Sequence, residues 1–327
     1  MHIPPEIRAL VAQPALLDRA QERHAAGFAA WQREPGAAAV LDAFAAFAAG
    51  ADLAECGPLA ALFGAGTSGG AGGEAGAFFG SLTAALLPVL AAEPFGHVPL
   101  RHQATPASAT LLLAQDAGAT LTLVVIAGPA LARMEPARSV AFTPMEAWDV
   151  VLAGAGEGRM AQRRPDGTLA LQPLAFAPGF TLGRDAEREA LLVDRVPGSM
   201  LMMRLSRRRP GAVPVREYEL ASGRQIHQAV SDPRESRMEL AITLLGAMGR
   251  ADAAPDMAGI ALETGRGESL RWQALRVCLG LDTAAGFRAL CELARRADDP
   301  LAAPAGALRA QLVEQYPVLK EVEPCLS

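Results

Sequence analysis

The stretch FTPMEAWDVVLAG at residues 142–154 decides how the middle of this chain is interpreted. Thr143-Pro144 is a turn signal, and the apolar run that follows it stops at Ala153-Gly154. An apolar run bounded by turn residues is typical of a β-strand. We therefore expect a strand here, with Glu146 and Trp148 on one face, because side chains alternate along a strand.

Similar signals extend in both directions and fill residues 98–228. Turn residues recur about every ten positions, and this spacing favours an antiparallel sandwich or barrel over βαβ units. Pro165-Asp166-Gly167 is typical of a hairpin turn, since proline presets φ and Asp-Gly tolerates the turn backbone. The other short apolar runs between turns are LLLA (111–114), LTLVVI (121–126), ALLV (190–193) and MLMMRL (200–205).

Both ends of the chain have helical patterns. Near the N-terminus we expect one helix from Pro14 to Trp31, a second from Gly36 to Ala49 and a third through residues 78–87. Ser231-Asp232-Pro233 predicts a helix start, with a capping side chain and proline in the first turn. The further C-terminal helices are predicted at residues 257–263, 269–281, 283–296 and 303–316. We expect an α+β protein with three regions, a helical segment (1–95), a β-domain (96–228) and a helical region (229–327).

The glycine-rich stretch 64–76 contains Gly64-x-Gly66-x-x-Gly69, which matches a dinucleotide-binding pattern. That pattern needs a strand before it and a helix directly after it. Here a helical segment precedes it and more glycine follows, so we interpret residues 64–76 as a flexible connector.

Composition narrows the classes of function. The 327 residues are 51% hydrophobic and 20% charged, as in globular proteins. The net charge of −5 argues against nucleic acid or an anionic membrane as partner. Lys320 is the only lysine, and with the abundant alanine and glycine this indicates a bacterial-type, GC-rich genome.

We expect a cytoplasmic protein without a signal peptide or a membrane-spanning helix. The longest apolar segment, from Leu82 to Ala92, is too short to span a bilayer and contains Pro88. The four cysteines, which we interpret as free thiols in a reducing compartment, are Cys56, Cys278, Cys291 and Cys325.

The phrases DVVLAGAGEGRM (149–160), LAFAPGF (174–180) and MLMMRL (200–205) together resemble the cupin superfamily, whose fold is a jelly roll. The helical stretch 269–294 resembles paired helices of the HEAT type. The cupin resemblance implies a metal site that holds iron, manganese or zinc through His-x-His, a carboxylate and a further histidine. This chain departs from it, because residues 139–149 and 180–193 contain no histidine and Phe180 stands where cupins often have aspartate. We therefore expect a cupin-like domain without the usual metal site and without a cofactor.

Other candidate sites have competing interpretations. A rearranged metal site of His102, His227 and Glu146 is the alternative to no metal. The charged residues around Arg184 and Arg188 are typical of a solvated loop. The basic run RLSRRRPG (204–211) has two interpretations, an anion site and a solvated strand edge, and the edge is favoured. The sequence contains no G-x-S-x-G motif, the pattern that would predict a serine nucleophile.

Four residues are candidates for lining a ligand pocket in the barrel, although core filling is the favoured interpretation: Glu146, Trp148, Met200 and Met202. The function that we predict is a non-enzymatic small-ligand-binding or regulatory module. The alternative is a metal-dependent cupin oxygenase or isomerase. A small organic ligand and a protein partner or second copy bound through the helical regions are the expected partners, with no nucleic acid and no membrane.

Overall fold

Helices at both ends of the chain flank a central run of strands. The computed structural model describes residues 15–64, 72–209, 213–229 and 232–322. The N-terminal helices are α1 (Ala15–Gln32), α2 (Pro35–Ala48), α3 (Gly57–Leu62) and α4 (Gly72–Ala92), and a short α5 (Gly128–Leu131) lies among the strands. The C-terminal helices are α6 (Pro233–Ala247), α7 (Ala254–Leu262), α8 (Glu268–Leu281), α9 (Thr283–Arg295) and α10 (Ala302–Gln315).

Twelve strands are present in the described residues. In chain order they are β1 (His102–Ala104), β2 (Ser108–Asp116), β3 (Ala119–Ala127), β4 (Ser139–Phe142), β5 (Met145–Ala153), β6 (Gly156–Arg163), β7 (Leu169–Phe176), β8 (Thr181–Asp185), β9 (Glu189–Arg195), β10 (Ser199–Arg208), β11 (Val215–Glu219) and β12 (Gln225–Ala229).

Local sequence signals set several of these boundaries. The Asp232 side chain accepts a hydrogen bond from the Arg234 backbone N–H at 2.8 Å, which confirms the predicted start of α6. Asp282 caps α9 in the same way through the Ala285 N–H. Gly167 has φ +84°, as a tight turn between β6 and β7 requires, and this confirms the predicted hairpin.

Two antiparallel sheets face each other and form a sandwich. The larger has the strand order β1-β2-β3-β10-β5-β8, and the smaller has the order β7-β6-β9. One buried cluster joins the two, since Val151 and Met202 of the larger sheet lie in the same core as Phe176 of the smaller sheet. We call this the inner core. The strand neighbours β3-β10-β5 are far apart in sequence, so the sandwich depends on long-range pairing.

The opposite face of the larger sheet packs against the N-terminal helices. Leu121, Val150 and Leu205 from the sheet share one cluster with Trp31 and Phe44 from the helices. Each central strand is therefore buried on both faces. This explains why DVVLA and MLMMRL are almost continuously apolar rather than alternating.

The chain divides into two compact units. The first comprises residues 1–209 and 218–224, and the second comprises residues 210–217 and 225–327. Within the second, which we call the helical unit, Leu270, Leu275, Phe287 and Leu290 are fully buried in a common core. The boundaries of the three predicted regions stay predictions, and so does the HEAT-type interpretation of the helices.

One expectation about α4 was wrong. We expect the apolar segment to end within residues 82–92, yet α4 continues through Pro88 and has 21 residues. Its span Gly73–Ala92 is long and apolar enough to cross a membrane by length and composition, the test that core helices also pass. Pro88 is exposed, and an exposed proline costs the helix one hydrogen bond whose carbonyl can turn to water. Phe78, Leu82 and Leu86 of α4 pack in the core.

Three cysteines in the described residues are free and buried, as predicted: Cys56, Cys278 and Cys291. Cys325, and residues 65–71 of the predicted connector, lie outside the described residues.

Candidate functional site

The register between β5 and β10 determines which side chains share a face of the larger sheet. Leu205 pairs with Trp148, and Arg204 pairs with Asp149. Odd-numbered residues of β10 therefore share a face with even-numbered residues of β5, next to the helices. The inner face carries Asp149 and Val151 from β5, with Met202 and Arg204 from β10.

Glu146 and Trp148 share the helix-facing side. The Trp148 ring contacts Phe47 of α2 edge-on, with 5.5 Å between ring centroids. Glu146 accepts a hydrogen bond at 2.9 Å from Arg207 Nη2, while Arg207 Nη1 also donates to the carbonyls of Phe47 and Ala51. Both candidate residues thus attach the sheet to the N-terminal helices.

Met200 and Met202 lie on the other face, in the inner core. They are 0% and 1% exposed and pack with Val151, Phe176 and Val196. The four candidate pocket residues are therefore not brought together, because the sheet separates Glu146 and Trp148 from the two methionines. The prediction of one pocket formed by all four is corrected in this respect.

The alternative metal site draws on both compact units, since His102 and Glu146 belong to the first and His227 to the second. The described residues contain no group of three or more histidine, cysteine, aspartate or glutamate side chains placed to hold a metal ion. His102 lies exposed on β1 and His227 lies exposed on β12, while Glu146 is paired with Arg207. Whether the chain takes a metal or a cofactor stays a prediction.

The inner face instead carries a charged cluster of Arg184, Arg204 and Asp149, which we call the arginine pair. The sequence marks the run around Arg204 as basic but does not predict that these three residues meet. Asp149 is 1% exposed and accepts a hydrogen bond at 2.6 Å from Arg204 Nε on Oδ1. Its other oxygen, Oδ2, accepts from Arg184 Nη1. The Arg184 side chain is 7% exposed and the Arg204 side chain is 34% exposed. Two guanidinium groups thus share one carboxylate, with Arg204 reaching solvent.

This cluster is one negative charge short. Arginine stays protonated in proteins, so two guanidiniums and one carboxylate leave a net charge of +1. No second carboxylate forms an ion pair with Arg184 or Arg204 in the described residues. In addition, the buried Nε of Arg184 has no hydrogen-bond partner there. A buried donor without a partner is destabilising and rare in native proteins, so it calls for an explanation.

The surroundings of the arginine pair are polar at one end of the sandwich. Thr120 and Ser206 hydrogen-bond to each other at 2.8 Å across β3 and β10, in the row next to Arg204. The inner face of the larger sheet therefore has an apolar half around Met200 and Met202 and a polar half around Arg204.

The expectations of a solvated loop at Arg184 and a solvated edge at Arg204 were wrong. Arg184 lies on β8, opposite Ala147 of β5, and Arg204 lies in the middle of the sheet between β3 and β5. One sequence signal could have located Arg204. It is two and four residues from Met202 and Met200, so the three share a face whenever the segment is a strand. Arg184 carried no comparable signal, because its position depends on pairing with a strand more than thirty residues away.

Comparison with known proteins gives likeness to solved structures only. A scan against models of protein families finds no match, and a search of curated proteins finds none. The chain is similar to CapF in complex with an inhibitor (8% identity, TM-score 0.27), over 35% of this chain and 32% of that one. It is similar to HutD from Pseudomonas fluorescens (13% identity, TM-score 0.25), over 34% of this chain and 57% of that one.

A third similar structure is ectoine synthase from P. lautus, with 14% identity and a TM-score of 0.22 over 32% of this chain and 67% of that one. The cupin-like interpretation of the β-region stays a prediction. The chain spans about a third of CapF and just over half of HutD. At these TM-scores no function, ligand or residue role is taken from the likeness.

Proposed function

We propose that this protein is a small-ligand-binding module whose sandwich holds an organic molecule through a carboxylate or phosphate group. The observation that carries the proposal is the arginine pair on Asp149, with its excess positive charge and its unpartnered Arg184 Nε. No catalytic step is assigned to these residues.

The charge of the cluster determines the chemistry of the ligand. A buried charge is expensive unless it is paired and hydrogen-bonded. One singly charged anion would balance the cluster, and its oxygen could accept from Arg184 Nε. Carboxylate and phosphate oxygens match the planar fork of guanidinium donors, which makes either group suitable.

The exposure of the two arginines determines how the ligand would enter. Arg204 is one-third exposed whereas Arg184 is almost fully buried, so the site opens to solvent on the Arg204 side. The ligand's anionic group would contact Arg204 first and then reach Arg184. The rest of the ligand would remain toward solvent, since the other half of the interior is filled by Met200 and Met202.

Thermal unfolding with added anions tests the proposal. The probes are sodium acetate, sodium succinate and sodium phosphate, each titrated at constant ionic strength with chloride as the balancing ion. A ligand that binds only the folded state raises the free energy of unfolding by mass action, by about 2.7 kcal/mol at 100 times its dissociation constant, and therefore raises the midpoint temperature. We expect the midpoint to rise with at least one probe, and the three probes separate carboxylate from phosphate.

Two variants make this test specific. Arg184→Met removes the unpartnered donor and should abolish the response. Arg188→Met is the matched control, because Arg188 is exposed on the turn that follows β8 and should leave the response unchanged. An equal response in all three proteins would show general salt stabilisation and would contradict the proposal, as would no response in any of them.

A further inference from the structure

The helical unit contains a cleft of about 500 Å³, in the size range of small-molecule sites. Its walls come from β11 and β12, the start of α6, the turn before α8 and the turn between α9 and α10. Its lining includes Arg216, Glu235, Arg266, Gly267, Arg271 and Asp299. We call it the helical-unit cleft.

The Arg271–Asp299 pair forms a structural wall of this cleft. Arg271 donates from Nε to the Ala261 carbonyl at 3.0 Å, and from both Nη atoms to Asp299 at 3.2 and 2.5 Å. Asp299 Oδ1 also accepts from the Leu301 backbone N–H. One cation balances one anion and every guanidinium nitrogen has an acceptor. This pair therefore leaves no excess charge and no unpartnered guanidinium donor for a ligand to bind.

Glu235 is different, because it is a buried carboxylate without an ion-pair partner in the described residues. It is 8% exposed, and its Oε1 accepts from the Gly267 backbone N–H at 2.8 Å. A side-chain carbon at Gly267 would lie 2.6 Å from Oε2, so glycine leaves the space that the carboxylate occupies. A carboxylate has about four acceptor sites, and one N–H bond leaves Glu235 able to accept from an added donor.

Arg216 is the cation of the cleft that no described residue engages. Its side chain is in no ion pair or hydrogen bond in the part of the chain that the structure describes. The two other arginines at the rim are already paired, Arg266 with Glu263 and Arg296 with Glu292. The helical-unit cleft thus presents one buried carboxylate, Glu235, and one half-buried guanidinium, Arg216, without a charged partner in the described residues, while its other unpaired carboxylates, Glu268 and Asp298, are exposed.

We propose that the helical-unit cleft binds a zwitterion that carries a primary ammonium group and a carboxylate, namely a free amino acid or a short peptide. The ammonium donates to Glu235, and the carboxylate accepts from Arg216. This site is separate from the arginine pair, so neither proposal depends on the other.

Isothermal titration with chemically matched probes tests this inference. The probes are the standard L-amino acids and L-alanyl-L-alanine, each at up to about 1 mM, a concentration that detects weak sites. For each binder, the N-acetylated form removes the ammonium charge and the C-terminal amide removes the carboxylate charge. We expect at least one zwitterion to bind and both of its blocked forms to bind at least about tenfold more weakly.

Variants assign the two contacts. Glu235→Gln should weaken the zwitterion about tenfold or more and remove the penalty of N-acetylation, whereas Arg216→Gln should remove the penalty of the amide. Asp256→Asn and Arg224→Gln are the matched controls, since both residues are exposed and outside the cleft. Circular dichroism checks that each variant is folded, and Arg216→Gln, at a half-buried strand position, provides the test even if Glu235→Gln unfolds.

Two results would overturn the inference. One is that no probe binds the unmodified protein, and the other is that blocked and free forms bind equally. Arg184→Met should bind the zwitterion normally, so loss of anion binding in the sandwich and loss of zwitterion binding in the cleft are distinguishable.

Discussion

Arg271 in the helical unit and Arg184 in the sandwich are both buried arginines that pair with a buried aspartate, yet their surroundings differ. Arg271 is 2% exposed and is the only arginine that forms an ion pair with Asp299 in the described residues. Its Nε donates to the Ala261 carbonyl. Arg184 shares Asp149 with Arg204, and its Nε has no acceptor in the described residues.

The comparison separates a structural ion pair from an incomplete one. In the helical unit, the cost of burying both charges is offset by complete pairing within the chain. In the sandwich, the charges do not cancel and a donor is left over. Since incomplete polar networks are destabilising, this is the place where a ligand would complete the structure.

The largest expected effect comes from removing the carboxylate of the sandwich. Asp149→Asn leaves two guanidiniums near each other without an anion, and neither arginine can become neutral by losing its proton. We expect the free energy of unfolding of the first unit to fall by about 4–5 kcal/mol. Hydrogen exchange of β5 and β10 peptides in denaturant measures this. A loss below about 1 kcal/mol would show that Asp149 does not hold the arginine pair.

Arg271→Met should cost less, about 3 kcal/mol in the helical unit. The reason is that the Asp299 carboxylate left behind can take up a proton, whereas the arginines of the sandwich cannot change charge. Hydrogen exchange of α8 peptides reports this effect, and β5 peptides serve as the internal control. Equal losses for Arg271→Met and Asp149→Asn would remove the distinction between the two pairs.

The effect of pH on the stability of the helical unit should be smaller than the effect of Arg271→Met. Hydrogen bonds from Arg271, followed by the Leu301 N–H, hold the pKa of Asp299 below its usual value of 3.8 against the opposing effect of burial. Because the folded-state pKa is lowered, this stabilisation is complete above about pH 4 and is lost as the pH falls through the folded-state pKa.

The stability difference between the unmodified protein and Arg271→Met should therefore narrow below pH 4, by about 1.4 kcal/mol for each unit of pKa shift. Denaturant unfolding between about pH 3 and pH 6 measures this. A difference that is constant over this range would contradict the assignment of the pair.

Arg184→Met should change stability by only about 1 kcal/mol in either direction in the absence of an anion. The substitution removes a hydrogen bond to Asp149, but it also removes the excess charge and the unpartnered Nε, and Arg204 remains to pair Asp149. Chemical unfolding without added anion measures the change. A loss as large as that of Arg271→Met would mean that Arg184 is a structural residue.

The smallest effect belongs to Glu146→Gln, at about 0.5 kcal/mol. Glu146 and Arg207 are partly exposed (31% and 18%), and such ion pairs contribute little. Arg207 keeps its two carbonyl acceptors and its position over the Phe47 ring, 4.2 Å from the centroid. Anion-induced stabilisation should be unchanged, and a loss of that response would move the site to the helix-facing side of the sheet.

The sequence predicted what depends on local signals. Turn residues located the strands and the Asp166-Gly167 hairpin, and capping residues located the start of α6. Alternation along one strand also placed Glu146 and Trp148 on a common face, as the structure has it.

The candidate site could not be predicted in the same way, because register between distant strands decides it. Nothing local in sequence relates β5 to β10, which begin more than fifty residues apart, so Met200 and Met202 could not be assigned to a face relative to Trp148. A shift of one residue would exchange the faces. Arg184 resembled a loop residue because its neighbours are charged, and only its pairing with β5 buries it.

Nuclear magnetic resonance of the arginine Nε–H groups tests the central claim most directly. The Arg184 and Arg271 signals can be assigned from the Arg184→Lys and Arg271→Lys variants, and succinate and phosphate are then titrated in turn. We expect the Arg184 Nε–H signal to shift and saturate with at least one anion while the Arg271 Nε–H signal stays in place. An Arg184 signal that does not move, or two signals that move together, would contradict it.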